Sequence, residues 1–273
     1  MVLNKKRVFL CGDIHGNHRG LIQVLKKSKF RNSTDKLILI GDVCDGIKET
    51  KQVVDRLLKI KDLVFVRGNH DDWLIRELNG EIMGLERDSW LQQGGINTLK
   101  SYCSRPYENC IIEEMSSSHK KFFNDSIPYH TEDSNLFVHG GVTVIDNLVD
   151  QKLFNLMWDR DLFEWIMNRN KFSYYPPLPL YEEKLHLFMD VHGITKIFLG
   201  HSETNHRGEY KPVIYSHENK KVIALDTGAG SNGRLSLINI DTLETFQSDL
   251  VQNLYPDYDF LKRVGLSRER SEL

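Results

Sequence analysis

Five short apolar runs in this chain each stop at a residue able to bind a cation or move a proton. Val8-Phe9-Leu10-Cys11 leads into Gly12-Asp13-Ile14-His15-Gly16-Asn17, and Leu37-Ile38-Leu39-Ile40 into Gly41-Asp42-Val43-Cys44-Asp45-Gly46. Leu63-Val64-Phe65-Val66 leads into Arg67-Gly68-Asn69-His70-Asp71, Asn135-Leu136-Phe137-Val138 into His139-Gly140-Gly141, and Lys196-Ile197-Phe198-Leu199 into Gly200-His201-Ser202. Between the first three runs lie segments with apolar residues at helical spacing: Leu21, Val24 and Leu25, then Val53, Val54, Leu57 and Leu58. Continuous apolar strands alternating with amphipathic helices predict an α/β arrangement, its parallel sheet buried on both faces. Ligands of such sheets bind beyond the carboxyl ends of the strands. Distant segments are therefore delivered to one rim.

The remainder of the chain is organised around that core. From Asp72 to about Asp133 the pattern predicts helices, with Trp73, Leu74, Leu78, Trp90, Leu91, Leu99, Phe122 and Phe123 as packing residues. A Tyr- and Pro-rich stretch, 172–179, predicts a surface insertion near the site entrance, where Tyr174 and Tyr175 would stack on a nucleobase or cover apolar surface. Val222 and Ile223, Leu235 to Ile240, and Leu243 to Phe246 after the Asp241-Thr242 turn predict antiparallel strands. We read a single domain over 1–273, with a motif core over 7–230, strands to about 248 and a charged tail over 258–273.

Composition narrows the function classes. At 273 residues, 40% hydrophobic and 27% charged, the chain is long enough to bury one large core. A net charge of −2 and a pI near 6.6 argue against general nucleic-acid binding. No apolar run approaches the roughly 20 residues of a membrane span, and the N-terminus enters a strand after Lys5-Lys6-Arg7 without a signal-peptide pattern. The expected location is cytoplasmic, with no membrane partner. Cys11, Cys44, Cys103 and Cys110 fit neither a zinc knuckle nor a disulfide framework and read as reduced thiols. Cys44, inside the second motif, is a candidate for regulatory oxidation.

The chemistry follows from what the loops present. Asp13 and His15, two residues apart, converge on one cation, and Asp42 from the neighbouring strand bridges to a second. Asn69, with His139 and His201, completes the second position. Mixed nitrogen and oxygen donors suit manganese, iron or zinc better than calcium. Two such cations roughly 3.5–4 Å apart clamp a phosphoryl group, lower the pKa of a bridging water and offset charge in an in-line displacement. His70 is the candidate proton donor to the leaving oxygen, with Asp45 orienting its ring.

These motifs, in this order, resemble the calcineurin-like metallophosphoesterases, specifically the phosphoprotein phosphatase family around the phage lambda phosphatase and small bacterial serine/threonine phosphatases. The resemblance spans about Arg7 to Gly230. It includes Trp90-Leu91-Gln92-Gln93-Gly94-Gly95 with Thr98-Leu99, Trp158-Asp159-Arg160-Asp161 and Asp226-Thr227-Gly228. It implies an α+β fold, a β-sandwich of mixed sheets flanked by helices. It also implies two divalent metals, manganese first, with iron, zinc, nickel or cobalt as alternatives, held by Asp13, His15, Asp42, Asn69, His139 and His201. Arg160 becomes a phosphate-binding arginine, assisted by Asn69. One departure stands out: the family's Asp-Arg-Gly is Asp45-Gly46-Ile47 here, which removes an arginine that grips the substrate phosphate. Arg67 is a replacement candidate, with a structural ion pair as its competing role.

Bland readings compete at several positions. Arg160 between two aspartates is also a plausible salt-bridged helix residue, and Asp71 reads as structural. His18, His119, His130, His186, His192, His206 and His217 read as ordinary surface or core histidines. The resulting expectation is a metal-dependent phosphomonoesterase for phosphorylated proteins or small phosphoesters. The alternatives are a symmetrical dinucleoside tetraphosphatase or other nucleotide hydrolase, and a binding scaffold, which would have lost ligands.

Overall fold

The computed structural model describes residues 6–103, 114–168, 178–206 and 208–257. Strands β1 (Val8–Cys11), β2 (Lys36–Leu39) and β3 (Asp62–Phe65) alternate with helices α1 (His18–Lys27) and α2 (Thr50–Leu57) as the periodicity predicts. Local chemistry sets the ends of α1: the Asn17 side chain accepts from the Gly20 N–H, and Lys26 and Lys27 occupy the last turn. The predicted helical middle contains α3 (Asn69–Leu78), α4 (Gly84–Trp90), a π-helical turn (Leu91–Gly95), α5 (Ile96–Tyr102) and α6 (Ser117–Asn124). Its last part departs from expectation. Tyr129–Glu132 is strand β4, antiparallel to β5 (Asn135–Val138). Its Tyr-His-Thr-Glu sequence has no apolar alternation, so pairing rather than pattern makes it a strand.

Beyond β5 come α7 (Leu153–Trp158), α8 (Asp161–Asn168), α9 (Leu178–Val191) and β6 (Lys196–Leu199). The C-terminal part carries the two-residue strands β7 (Asn205–His206) and β8 (Glu209–Tyr210), then β9 (Val213–His217), β10 (Lys220–Ala224), β11 (Ser236–Asn239), β12 (Thr245–Gln247) and α10 (Val251–Leu254). Residues 172–177 with Tyr174 and Tyr175, the charged tail, and the side chain of His206 lie outside the described residues.

Two five-stranded sheets face each other, ordered β12-β11-β1-β2-β3 and β4-β5-β6-β10-β9. Each contains three adjacent parallel strands: β1, β2 and β3, ending at the β3 edge of the first, and β5, β6 and β10 at the centre of the second. Antiparallel strands extend the first on its β1 side and flank the second on both sides. The sheets are therefore mixed, and the purely parallel sheet expected from periodicity is corrected: β11 pairs antiparallel with β1, and β10, antiparallel to β9 as the C-terminal pattern predicts, also lies parallel to β6.

Period-two alternation sorts the strand residues into layers. Val8, Leu10, Ile38, Ile40, Phe137, Phe198, Ile223 and Ile238 form the seam between the sheets, where Phe137 and Phe198 stack at 5.0 Å. Phe9, Cys11, Leu37 and Leu39 point outward onto α1 and α2 residues such as Leu21 and Val53. Leu136, Val138, Ile197 and Leu199 do the same beneath Leu162 and Trp165 of α8 and Leu185 of α9. The result is an α+β sandwich. Register aligns Cys11 with Leu39 and Leu39 with Phe65, and Val138 with Leu199 and Leu199 with Ala224, so each sheet's parallel strands end together.

Candidate active site

The loops leaving those strand ends assemble the site. Asp13 follows β1, Asp42 follows β2, Asn69 opens α3 after β3, His139 follows β5 and His201 follows β6. All five are buried except His201, which is half-buried. Asp42 is the shared member: its Oδ2 lies 3.6 Å from His15 Nε2 and its Oδ1 3.4 Å from His139 Nε2. His15 donates through Nδ1 to the carbonyls of Asp45 and Cys44, and His139 donates through Nδ1 to the Ile40 carbonyl. Each ring thereby directs Nε2 inward, the usual backbone control of a ligating histidine. Asn69 Oδ1 stands 3.0 Å from His139 Nε2.

Two donor groups result, Asp13-His15-Asp42 and Asp42-His139-His201, with the ligand atoms of each within 4.8 Å of one another. Asp13 Oδ1 and His201 Nε2 are buried without a hydrogen-bond partner. Orphaned buried polar atoms are costly, about 1–3 kcal/mol each, and a divalent cation at each group satisfies both. The donor set fits the two-metal expectation.

Electrostatics agree with that reading. Burial, then the nearby Asp226 carboxylate, raises the Asp13 pKa well above the usual carboxylate range. Burial alone would lower the His139 pKa, but Asp42 and Asp13 push it up to about 10, so a proton there offsets their charge. Burial opposes ionisation of Asp42, yet His139 and the other imidazoles hold it well below its ordinary value. His201 is driven down to about 2 by burial and by His139 and Arg160, which leaves a neutral imidazole suited to coordination.

Beside the donor groups lies an acid-base pair. His70 Nδ1 is 2.9 Å from Asp45 Oδ2, which also accepts from Trp90 Nε1 at 2.7 Å. Asp45 Oδ1 accepts from Thr98 Oγ1 at 2.6 Å. Trp90 and Thr98 thus lock the carboxylate that orients His70. Backbone strain concentrates here as well: His15, Asp42, Asp45 and His201 have positive φ of 49°, 49°, 63° and 63°. Non-glycine residues in that region cost of order 1–3 kcal/mol each and cluster at functional sites. Asp71 accepts from the N–H groups of Asp42, Val43 and Gly68, joining the second and third loops.

A cavity of about 250 Å³ opens over the site, bordered among others by Asp42, Asn69, His70, His201 and Arg160. Arg160 donates to Ser202 Oγ at 2.9 Å, beside His201. Arg67 is not among the bordering residues: it donates to Ser126 Oγ at 3.0 Å and pairs with Asp72 at 3.2 Å, the structural role. Nor are His18, His119, His130, His186, His192 or His217. Cys44 is fully buried, and burial followed by Asp45 and Asp71 pushes its thiol up, which removes the thiolate that oxidation requires. Cys103 is disulfide-bonded, so the reduced state expected for all four cysteines is corrected at that position.

Sequence reading gave no site role to Gln93, Trp158, Glu203, Asp226, Gly228, Gly230 or Ser231, although the motifs that carry the resemblance contain Gln93, Trp158, Asp226 and Gly228. Asp226 carried a usable signal, because Val222-Ile223-Ala224-Leu225 is another apolar run ending at an acid. Its assignment to an antiparallel unit hid the fact that β10 ends at the same rim. Burial, with Glu203 nearby, raises the Asp226 pKa to about 7 against the hydrogen bond from the Gly228 N–H.

The sequence pattern of the calcineurin-like phosphoesterases matches residues 6–218. The chain belongs to that family. It is a hydrolytic phosphatase. It is 24% identical over 245 residues to serine/threonine-protein phosphatase 2 of Salmonella typhimurium, covering 86% of this chain and 93% of that one. It is 27% identical over 135 residues to the symmetrical bis(5'-nucleosyl)-tetraphosphatase of Nitrosomonas europaea, covering 49% of this chain and only 44% of that protein. A solved putative diadenosine tetraphosphatase superposes with a TM-score of 0.53 at 14% identity, covering 90% of this chain and 95% of that one, a likeness of fold. Among the described residues no helix is long and apolar enough to cross a membrane.

Proposed function

We propose that this phosphoesterase is a dinuclear-metal-dependent phosphomonoesterase acting on phosphoserine or phosphothreonine in proteins. The observation that carries the reading is the pair of donor groups sharing Asp42, with His70 on the same cavity and Asp45 buried behind it. Asp13, His15 and Asp42 would hold one cation, and Asp42, Asn69, His139 and His201 the other, with manganese the proposed metal. When bound, the two cations activate water and offset the charge that develops on the phosphoryl group. Arg160 binds the phosphate from the cavity wall. His70 keeps Nδ1–H on Asp45, which leaves the other ring nitrogen to carry the proton handed to the departing seryl or threonyl oxygen. Asp45, tied by Trp90 and Thr98, prevents the ring from turning.

Coverage of nearly the whole Salmonella phosphatase supports a protein substrate over a dinucleotide, for which the match spans under half of the relative. The test is phosphate release by metal-stripped protein resupplied with manganese, from a phosphothreonine peptide and from diadenosine tetraphosphate at equal concentration. Preference for the peptide is expected. Preference for the dinucleotide would replace this reading with nucleotide hydrolysis.

A further inference from the structure

Position 46, next to Asp45, is glycine, and the backbone there favours it. Gly46 has φ 112°, a conformation that side chains rarely adopt. Its N–H donates to the Gly94 carbonyl at 3.4 Å, and its carbonyl accepts from the Asn97 side chain. The loop is fastened onto the turn Leu91–Gly95, and an arginine at 46 would keep these backbone bonds only at the cost of strain. The turn is itself kinked at Gly94, whose φ of 115° is not helical.

That turn carries Gln93, exposed and bordering the cavity over the metal donors. Gln93 also borders an adjoining groove that includes Trp73, Phe154 and Trp158, so it stands where the two spaces meet. Its placement is rigid. A Cβ at Gly95 would come within 2.3 Å of the Trp90 indole, so the turn packs directly on the ring that donates to Asp45. Thr98, on α5 just after the turn, holds the other Asp45 oxygen. Gln93 and the His70–Asp45 pair therefore belong to one braced unit. Among the described residues bordering the cavity, the guanidinium is Arg160, while Glu203 and Asp226 are carboxylates.

Resting on the phosphomonoesterase reading, we infer that Gln93 is a substrate-binding residue whose carboxamide N–H donates to a phosphoryl oxygen in the cavity that Arg160 also borders. The phosphate is gripped by one charged and one neutral donor. A carboxamide lacks the positive charge and the bidentate fork of a guanidinium, so the site holds phosphate less tightly than two guanidinium groups would.

The experiment compares wild type with Gln93→Ala, Gln93→Glu and Gln93→Arg, all loaded with manganese. Calorimetry measures inorganic phosphate binding, and p-nitrophenyl phosphate turnover measures KM and kcat. Gln93→Ala should weaken phosphate binding and raise KM about tenfold, the loss of one hydrogen bond to a charged group, with kcat within about twofold. Gln93→Glu should weaken both further, and Gln93→Arg should tighten both. Because the residue is exposed, thermal melts of all variants should match wild type. Should Gln93→Ala lose its fold, Gln93→Glu against Gln93→Arg still reads the sign of the charge effect. Unchanged phosphate affinity in Gln93→Ala and Gln93→Glu would overturn the inference. Wild type that binds phosphate but hydrolyses no monoester would instead overturn the phosphomonoesterase reading, and calorimetry would still decide the role of Gln93.

Discussion

The two sheets share one design and contribute different chemistry to the rim. The first, through the loops after β1, β2 and β3, delivers Asp13, His15, Asp42, Asp45, Asn69 and His70. The second, after β5, β6 and β10, delivers His139, His201 and Asp226. Oxygen donors and the acid-base pair thus come from one sheet, and the imidazoles that complete the second donor group from the other. Asp42 lies within hydrogen-bonding or ion-pairing reach of both. A site split across a seam depends on the seam, so function here is coupled to packing between Phe137, Phe198 and Leu10, far from any ligand atom.

The largest test of this division replaces its shared member. Asp42→Asn should lower turnover by ~10³-fold or more and reduce the content of both metals, whereas His201→Ala should reduce one. Equal metal stoichiometry in the two variants, read by elemental analysis, would remove the asymmetry between the sheets. Next, His70→Asn should lower kcat by about 10²–10⁴-fold while both metals stay bound. If metal is lost as well, His70 is part of the donor set and not of a separate pair.

The seam comes third. Phe137→Ala should destabilise the fold by about 3–5 kcal/mol, seen in denaturant unfolding, and should weaken metal binding through the displaced second sheet. Retained metal affinity at reduced stability would uncouple the seam from the site. The smallest effect is expected at the opposite end of the first sheet. Burial would raise the pKa of Asp35, yet hydrogen bonds from Arg7 and Arg31 hold it below the ordinary value. A depressed folded pKa stabilises above the unfolded value of about 3.9 and is lost as pH falls through the folded one. Asp35→Asn should therefore cost about 1 kcal/mol at neutral pH, with the difference closing in acid and activity unchanged.

The donor residues were legible because each motif ends an apolar run, and local pattern suffices to place a loop after a strand. Asp13, His15, Asp42, His139 and His201 lie together with Asn69 beside His139, and His70 lies against Asp45. Arg67 illustrates what pattern leaves open: a guanidinium two residues from a ligand looks like a phosphate grip, but Ser126 and Asp72 hold it elsewhere. β4 and β10 show the same limit for the fold, since a strand's partner and direction depend on segments far away in the chain.

The sequence by itself determined which residues carry the chemistry, because carboxylates, imidazoles and an amide stand at fixed offsets from strands that apolar periodicity marks out. Tertiary structure alone decided how two mixed sheets align their strand ends, why Asp226 joins the rim and why Gln93 borders the cavity. Those outcomes follow from long-range strand pairing and from the packing of one glycine-containing turn onto Trp90. Neither leaves a period in the sequence, since each is settled by which distant surfaces fit together.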